Sequence, residues 1–407
     1  MDNTHNTATT PPATGTPGAP DDVEAPLLAR SSPPPRRLEI RFTGSGSEYF
    51  RIWAVNLLLI LLSAGLYLPF AKMRRIRYLY ANTLIDGEAL AFHGDANKMF
   101  RGFVLLAVLT LIYTFAGSFS PAAALPAFVL LCVVWPALWR ASMQFRMGNT
   151  SWRGLRLGFE GSMRGAYLGF LPIYLPAAVL TALEPYVSGP SKDPGINGQW
   201  GFLLALGLLG LLAPWSTSLL KRYQHQGYRI ASERGDLQVA TRAVYAIGAK
   251  TVGMAVVMLF VTIMGTVVIG AVLSLGHSGK IDGQGNGSYF GIAFVGLIYL
   301  LGGSVVLTYY AARVQNLVWG NTRSEALQFR SNLTGLTVLT LKNWVLVVLT
   351  AGLYRPFAVI ATARLRLESV WIETTSDPDT WSATPSLRPT DASGEVAGDF
   401  FGMDLGL

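Results

Sequence analysis

Charge is what this chain has least of. Of its 407 residues only 14% are charged, against 51% that are hydrophobic, whereas a soluble domain carries about 25% charged residues. The deficit is concentrated. The windows 103–119, 122–139, 165–183, 199–220, 251–275 and 289–312 contain no Asp, Glu, Lys or Arg at all. Each is close to the roughly 17–25 residues a helix needs to cross hydrocarbon, and none has the polar stripe of a soluble amphipathic helix. A water-soluble globular protein is excluded, and the expected class is a mainly α, polytopic helical membrane protein.

Other scarcities narrow the chemistry. One cysteine, Cys132, rules out an internal disulfide and a thiolate metal cluster. Four histidines, His5, His93, His225 and His277, show no His-x-x-x-His spacing, so no metal site is expected. His93 and His225 fall in charged connections, where solvated loop side chains are expected. Neither Gly-x-Ser-x-Gly nor His-Glu-x-x-His occurs, so no enzyme, catalytic residue or cofactor is expected. The six windows hold no acid, and Glu184 stands only at the end of one, which speaks against a proton-coupled pump. The glycine-rich 282–287 lacks a preceding strand and a Gly-Lys-Ser/Thr ending, and reads as a connector.

The basic residues follow a pattern. The connections 72–98, 140–164, 221–250 and 313–332 carry five, five, six and three Lys or Arg, while those near Pro121, 187–198 and 276–288 carry only Lys192 and Lys280. By the positive-inside rule the four basic connections are expected on the cytoplasmic side of the membrane. The net charge of +8 is thereby explained without nucleic acid. The expected partners are the bilayer and its anionic headgroups.

Those connections repeat. Asn82-Thr83 through Asp86-Gly87 to Gly94 aligns without gaps on Asn149-Thr150 through Arg153-Gly154 to Gly161, with six of thirteen positions identical. Asn321-Thr322 followed by Leu327 and Phe329 is a shorter copy, and 227–238 a degenerate one. Asp86-Gly87 is a type I′ turn signal, and Leu90/Phe92 and Leu157/Phe159 alternate with the period of half-buried strands. Each copy is therefore expected to be a β-hairpin. A lone hairpin is marginal, so the copies are expected to pair into one small sheet. Leu38 to Phe42 alternates likewise and reads as a strand of the same unit. Outside a membrane domain at 38–372, residues 1–37 (Thr, Pro and Ala without an apolar signal core) and 373–407 (acidic and Ser/Thr/Pro-rich) are expected as disordered tails.

A second repeat links two untidy apolar segments, 52–71 and 333–361. Ala64 to Ala71 and Ala351 to Ala358 agree at seven of eight positions, and Asn56 matches Asn343. Gly65, Tyr67 and Pro69 pair with Gly352, Tyr354 and Pro356. Two readings stand open: a simple span, or a broken helix that enters and returns, with Gly and Pro supplying the break. Interrupted segments in matching positions of two halves point to a transporter-like site. An Asn within an apolar segment also commonly ties neighbouring helices together.

The stretch from Gly44 to Gly94 resembles the YjgN family of bacterial inner-membrane proteins. The matching features are Gly44-x-Gly46-x-Glu48-Tyr49-Phe50, Val55-Asn56, Gly65-Leu66-Tyr67-x-Pro69 and Arg77-Tyr78-x-Tyr80-x-Asn82. The resemblance continues more weakly to about residue 370 and implies a multi-pass inner-membrane protein of unknown function, with no catalytic residues to carry over. Two functional readings follow. One is a non-enzymatic solute permeation or binding protein built on the broken helices. The other is a membrane scaffold whose basic hairpins dock a protein or anionic lipid.

Overall fold

A computed structural model of the chain describes residues 35–119, 121–188, 195–276 and 286–381. Residues 1–34 and 382–407, most of the glycine-rich stretch, His5 and His277 lie outside that description.

Helix pairs alternate with strand pairs. β1 (Arg36–Phe42) leads into α1 (Gly46–Leu62) and α2 (Leu68–Ala81), followed by β2 (Thr83–Ile85), β3 (Glu88–Ala89) and β4 (Ala91–Phe92). Next come α3 (Ala96–Phe119), α4 (Pro121–Gly148), β5 (Thr150–Trp152), β6 (Leu155–Phe159), α5 (Met163–Ser188) and α6 (Gly195–Gly227). β7 (Tyr228–Ile230), β8 (Glu233–Arg234) and β9 (Asp236–Leu237) precede α7 (Thr241–Gly276) and α8 (Asn286–Trp319). β10 (Thr322–Arg323), β11 (Leu327–Ser331), α9 (Leu336–Leu349), α10 (Arg355–Glu368) and β12 (Val370–Thr374) complete the order.

Stretches of α3 to α7 (96–116, 125–148, 163–183, 200–227 and 241–268) are long and apolar enough to cross a bilayer, and α8 carries the sixth uncharged window. Their outward faces are bare of partners. Val256, Phe260 and Val267 on α7 are each about 60% exposed. In water such a surface would aggregate; against acyl chains it costs nothing.

The strands close on themselves. One sheet runs β3-β2-β1-β12-β11-β10-β9 and the other β4-β5-β6-β7-β8, and every pairing is antiparallel. A single residue, Leu90, separates β3 from β4, and Gly235 separates β8 from β9. Both keep their hairpin bond, Leu90 N–H to Thr83 O and Gly235 N–H to Tyr228 O. Each is thus a corner at which one bent strand changes partner. With the corners counted, ten strands form a circuit in which each has two neighbours. Closure leaves no free edge to recruit another chain. The expected single sheet is therefore two sheets joined at these corners. The terminal strands supply the last link, since β1 pairs with β12 from Arg36↔Thr374 to Glu39↔Trp371.

Together β12 and β1 make a fifth hairpin that lacks only its turn, so the molecule is five repeats of helix, strand pair, helix. The helices also contact in a ring, each touching the next in sequence, with α10 closing on α1. One contact marks all five units. A side chain near the end of the incoming helix donates to a carbonyl at the start of the outgoing one: Arg77 to Gly94 O (2.8 Å), Arg140 to Gly161 O (2.6 Å), Arg222 to Val239 O (3.0 Å), Asn316 to Leu333 O (3.0 Å) and Arg364 to Gly44 O (2.9 Å).

The Asn-Thr motif stops the helices. Asn82, Asn149 and Asn321 donate through Nδ2 to the carbonyls of Tyr78, Phe145 and Leu317, four residues back. Thr83, Thr150 and Thr322 do the same through Oγ1 to Leu79, Arg146 and Val318. The last carbonyls of a helix are short of intrahelical donors; these side chains add bonds there, as second donors at Tyr78, Phe145 and Val318, whose carbonyls also accept from the Asn82, Asn149 and Asn321 N–H groups. Asp86-Gly87 and Arg153-Gly154 then turn with φ of 52°/84° and 48°/78°, the paired positive values of a type I′ hairpin. The Asp86 carboxylate accepts from Arg36 (2.6 Å) and Arg153 (2.9 Å), joining its turn to β1 and to the next hairpin. Replacing Thr150, which is fully buried, by Val keeps its shape and removes its hydrogen bond to the Arg146 carbonyl. A loss of about 0.5–1.5 kcal/mol is expected, read as a lower Tm in detergent; an unchanged Tm would refute the capping role.

Inside the circuit, Leu38, Tyr80, Phe92, Phe145, Trp152, Leu327 and Ile372 form one core drawn from both sheets and the helices above them. Two expectations about the tails need correction. Strand β1 begins at Arg36, before residue 38. Order also continues past residue 373 through Thr374 to Trp381, whose ring meets Trp152 edge-on at 6.1 Å. The reason is the pairing of β12 on both sides, which composition alone does not reveal. His225 is a further correction. It sits on α6 rather than in a solvated loop, only 2% exposed, with Nδ1 2.9 Å from Thr322 Oγ1. His93 is exposed, with Nε2 2.8 Å from Ser151 Oγ. No group of His, Cys, Asp and Glu fit to hold a metal occurs among the described residues.

Candidate functional site

The segments 52–71 and 333–361 turn back. α1 ends at Leu62 and α2 starts at Leu68, and the chain returns to where it entered. Tyr78 near the end of α2 bonds the Ser45 backbone and Glu48 at the start of α1. Phe42 pairs with Thr83 across β1 and β2. Both flanks of the segment therefore lie at the same end of the molecule, and α9 with α10 repeats the arrangement.

The two turns match in detail. Ala64-Gly65 adopt φ of 49° and 91°, and Ala351-Gly352 adopt 49° and 94°. Gly65 N–H reaches back to Ile60 O (2.8 Å) and Gly352 N–H to Val347 O (2.7 Å), the closing bond of a Schellman end that favours glycine in the left-handed region. Ser63 and Thr350 hydroxyls accept from the N–H groups of Tyr67 and Tyr354. Pro69 and Pro356 stand at the first turn of the return helices, where a missing N–H costs nothing. Tyr67 stacks on Phe70 and Tyr354 on Phe357. The tips are apolar and bare: Leu62 and Leu349 are 76% and 75% exposed.

Asn56 and Asn343 each cross from the first helix to the second. Asn56 Nδ2 donates to Ala71 O (3.4 Å) and Asn343 Nδ2 to Ala358 O (3.5 Å), with both side chains buried. There the symmetry breaks. Asn56 Oδ1 accepts from Arg74 (3.5 Å), whereas the residue in the place of Arg74 is Ala361. Asn343 Oδ1 is consequently buried without a partner among the described residues.

Asn343 lines a cavity of about 380 Å³ between α2, α9 and α10. Arg75, Arg355 and Arg366 line it too, with Thr340, Trp344 and Thr362, and no Asp or Glu is among the described residues that line it. Two of these arginines exist only in the second hairpin, since Arg355 and Arg366 occupy the places of Leu68 and Leu79. Arg366 holds Gln315 (2.9 Å). It also borders a second cavity, about 200 Å³ and walled mainly by carbon, inside the strand circuit among Tyr80, Leu90, Leu157, Ile230 and Phe329. Matched glycines and prolines made the two breaks legible in sequence, with a simple span and a return both open, and the fold takes the return. The cavity was not legible, because Arg75 and Arg355 are 280 residues apart and their hairpins meet through the chain's closure, α1 on α10 and β1 on β12.

Five strand pairs on a closed circuit, each joined to its neighbours through a helical hairpin, with two of those hairpins folded short, define a polytopic helical membrane protein with internal fivefold repetition. The chain belongs to the family described as "Bacterial protein of unknown function (DUF898)", whose model matches residues 37–400. It is 24% identical over 371 residues to the Inner membrane protein YjgN of Salmonella typhimurium, covering 86% of this chain and 92% of that protein. It is 30% identical to the Inner membrane protein YjgN of Escherichia coli K12 over 138 residues, 33% of this chain and 34% of that one. No solved structure matches.

Proposed function

We propose that this protein is a non-enzymatic protein of the bacterial inner membrane that binds a solute between its two re-entrant hairpins and passes it across the bilayer. The location rests on the names of its relatives and on the basic connections, which favour a cytoplasmic strand circuit. The observation that carries the solute site is the unpartnered Asn343 Oδ1 beside the cavity of about 380 Å³. A buried acceptor without a partner costs about 1–3 kcal/mol, a cost that a ligand donor would remove. Two hairpins that stop short also leave less protein between the cavity and the far side than a full span would.

Uptake of a panel of small anions, cations and neutral solutes into proteoliposomes tests the reading. Wild-type protein should conduct at least one class above empty liposomes, and Asn343→Leu should lose most of that flux while its Tm stays within a few degrees. Flux no greater than in empty liposomes, or flux untouched in the variant, would overturn it. A second reading, a scaffold that holds anionic lipid or a partner, is favoured by the exposed Arg41, Arg156 and Arg234 on the strand circuit; it expects no flux, and loss of vesicle binding when these three become Gln.

A further inference from the structure

We infer that the cavity between α2, α9 and α10 is a binding site for a phosphate-type oxyanion, carried either by a phospholipid headgroup or by a free phosphate compound. This rests on the solute-site reading and names the chemistry of its ligand.

Arg75 arrives from α2, Arg355 from the start of α10 and Arg366 from its last turn, and all three line one cavity with no acid among its described lining residues. Guanidinium groups are always protonated and present planar forks that match phosphate oxygens. Among the described residues, neither Arg75 nor Arg355 forms an ion pair with a carboxylate. Several arginines elsewhere are paired with carboxylates, as in Arg36 and Arg153 on Asp86, Arg229 on Glu160 and Arg330 on Glu373, and others donate to backbone carbonyls, as Arg77 and Arg364 do. Arg75 and Arg355 converge although they belong to different hairpins, since both line this one cavity. Like charges brought together repel, and an anion between them reverses the sign of that interaction.

The polar neighbours suit the same ligand. Thr340 and Thr362 line the cavity, and their hydroxyls can donate to oxygen. The Asn343 Nδ2 already donates to Ala358 O and Thr362 Oγ1, so its Oδ1 is left to accept from a P–OH group or from a headgroup hydroxyl or ammonium. Position agrees. The cavity lies between the apolar hairpin tips and the strand circuit, the level at which basic pockets between membrane helices meet headgroups. The repeat offers an internal comparison, because the first hairpin has Leu68 and Leu79 where the second has Arg355 and Arg366. The basic cluster is thus a departure from the shared scaffold rather than part of it.

Thiol accessibility in the full chain tests this. In a Cys132→Ser background, Thr362→Cys places a reporter in the cavity, with Thr340→Cys as a second reporter should the first fold poorly. The purified protein is treated with neutral, anionic and cationic methanethiosulfonate reagents, each rate being normalised to a free thiol. The anionic sulfonate should react faster than the cation by about tenfold or more, the scale on which a charged cleft concentrates counter-ions. Arg75→Gln with Arg355→Gln should abolish the preference.

Equal rates for all three reagents would overturn the anion inference while leaving an accessible solute cavity. No reaction with any reagent at either reporter would overturn both. Protection by millimolar inorganic phosphate in detergent supports a free phosphate ligand. Protection only in nanodiscs of phosphatidylglycerol, and not of phosphatidylcholine, supports a headgroup. Protection by neither overturns the site.

Discussion

Ending the chain at Ser369, so that β12 is missing, is expected to leave no folded protein in detergent extracts. Strand β12 lies inside the circuit, pairing with β1 over four positions and with β11 over five. Its inward residues Val370, Ile372 and Thr374 are 7%, 5% and 1% exposed. Truncating a buried Ile costs about 2–5 kcal/mol, and whole domains are stable by only about 5–15 kcal/mol. Losing two such side chains and both ladders exceeds that margin. The single change Ile372→Ala should lower Tm without abolishing folding. Size-exclusion profiles of fluorescent fusions read both outcomes. A monodisperse, thermally unaltered truncation would show that the terminal strands are decoration and that the circuit does not need closing.

Gly235→Ala should be the most damaging of the small substitutions. A Cβ there would stand 2.3 Å from the His225 carbonyl oxygen and 3.5 Å from that of Tyr228. Both atoms are backbone, one in the last turn of α6, so neither can rotate aside. Strand β8 must then pull away from α6, disturbing the corner where it passes from β7 to β10. A cost of several kcal/mol is expected, in the range of overpacked cores, about 1–3 kcal/mol or more. Gly87→Ala is the comparison. Gly87 has open space around it but a φ of 84°, so only the left-handed penalty of about 1–2 kcal/mol applies. Tm values in the order wild type, Gly87→Ala, Gly235→Ala are expected, and a reversed order would show that the corner is compliant.

The same two glycines show what could be read along the chain. Gly87 follows Asp86 between alternating apolar residues, a local signal with a local cause, and the hairpin is where the spacing puts it. Gly235 carries no such signal. Its meaning comes from His225 in a helix before it and from β10 some 87 residues later. His225 was misread for a related reason. Six uncharged windows marked where apolar helix must be, but α6 continues past its window to Gly227, carrying the histidine inward onto Thr322.

Three strands end in Phe-x-Gly, at Phe42-x-Gly44, Phe92-x-Gly94 and Phe159-x-Gly161, and only the structure shows this spacing as a contact. Cβ atoms added at Gly44, Gly94 and Gly161 would lie 2.5–2.6 Å from the rings of Phe42, Phe92 and Phe159. Each strand's last aromatic thus folds over the glycine that starts the next helix.

Hydrophobic run length, charge asymmetry and turn chemistry are properties of short stretches, and from them the membrane helices, the hairpins and the matched breaks at Gly65 and Gly352 follow directly. Three things depend on which distant surfaces meet. These are the return of 52–71 to its starting side, the closing of ten strands by β1 and β12, and the gathering of Arg75, Arg355 and Arg366 around Asn343. Side-chain packing between units decides them, because a carbonyl, a guanidinium or a strand edge takes its partner from whatever lies within about 3 Å, however far along the chain that partner was made.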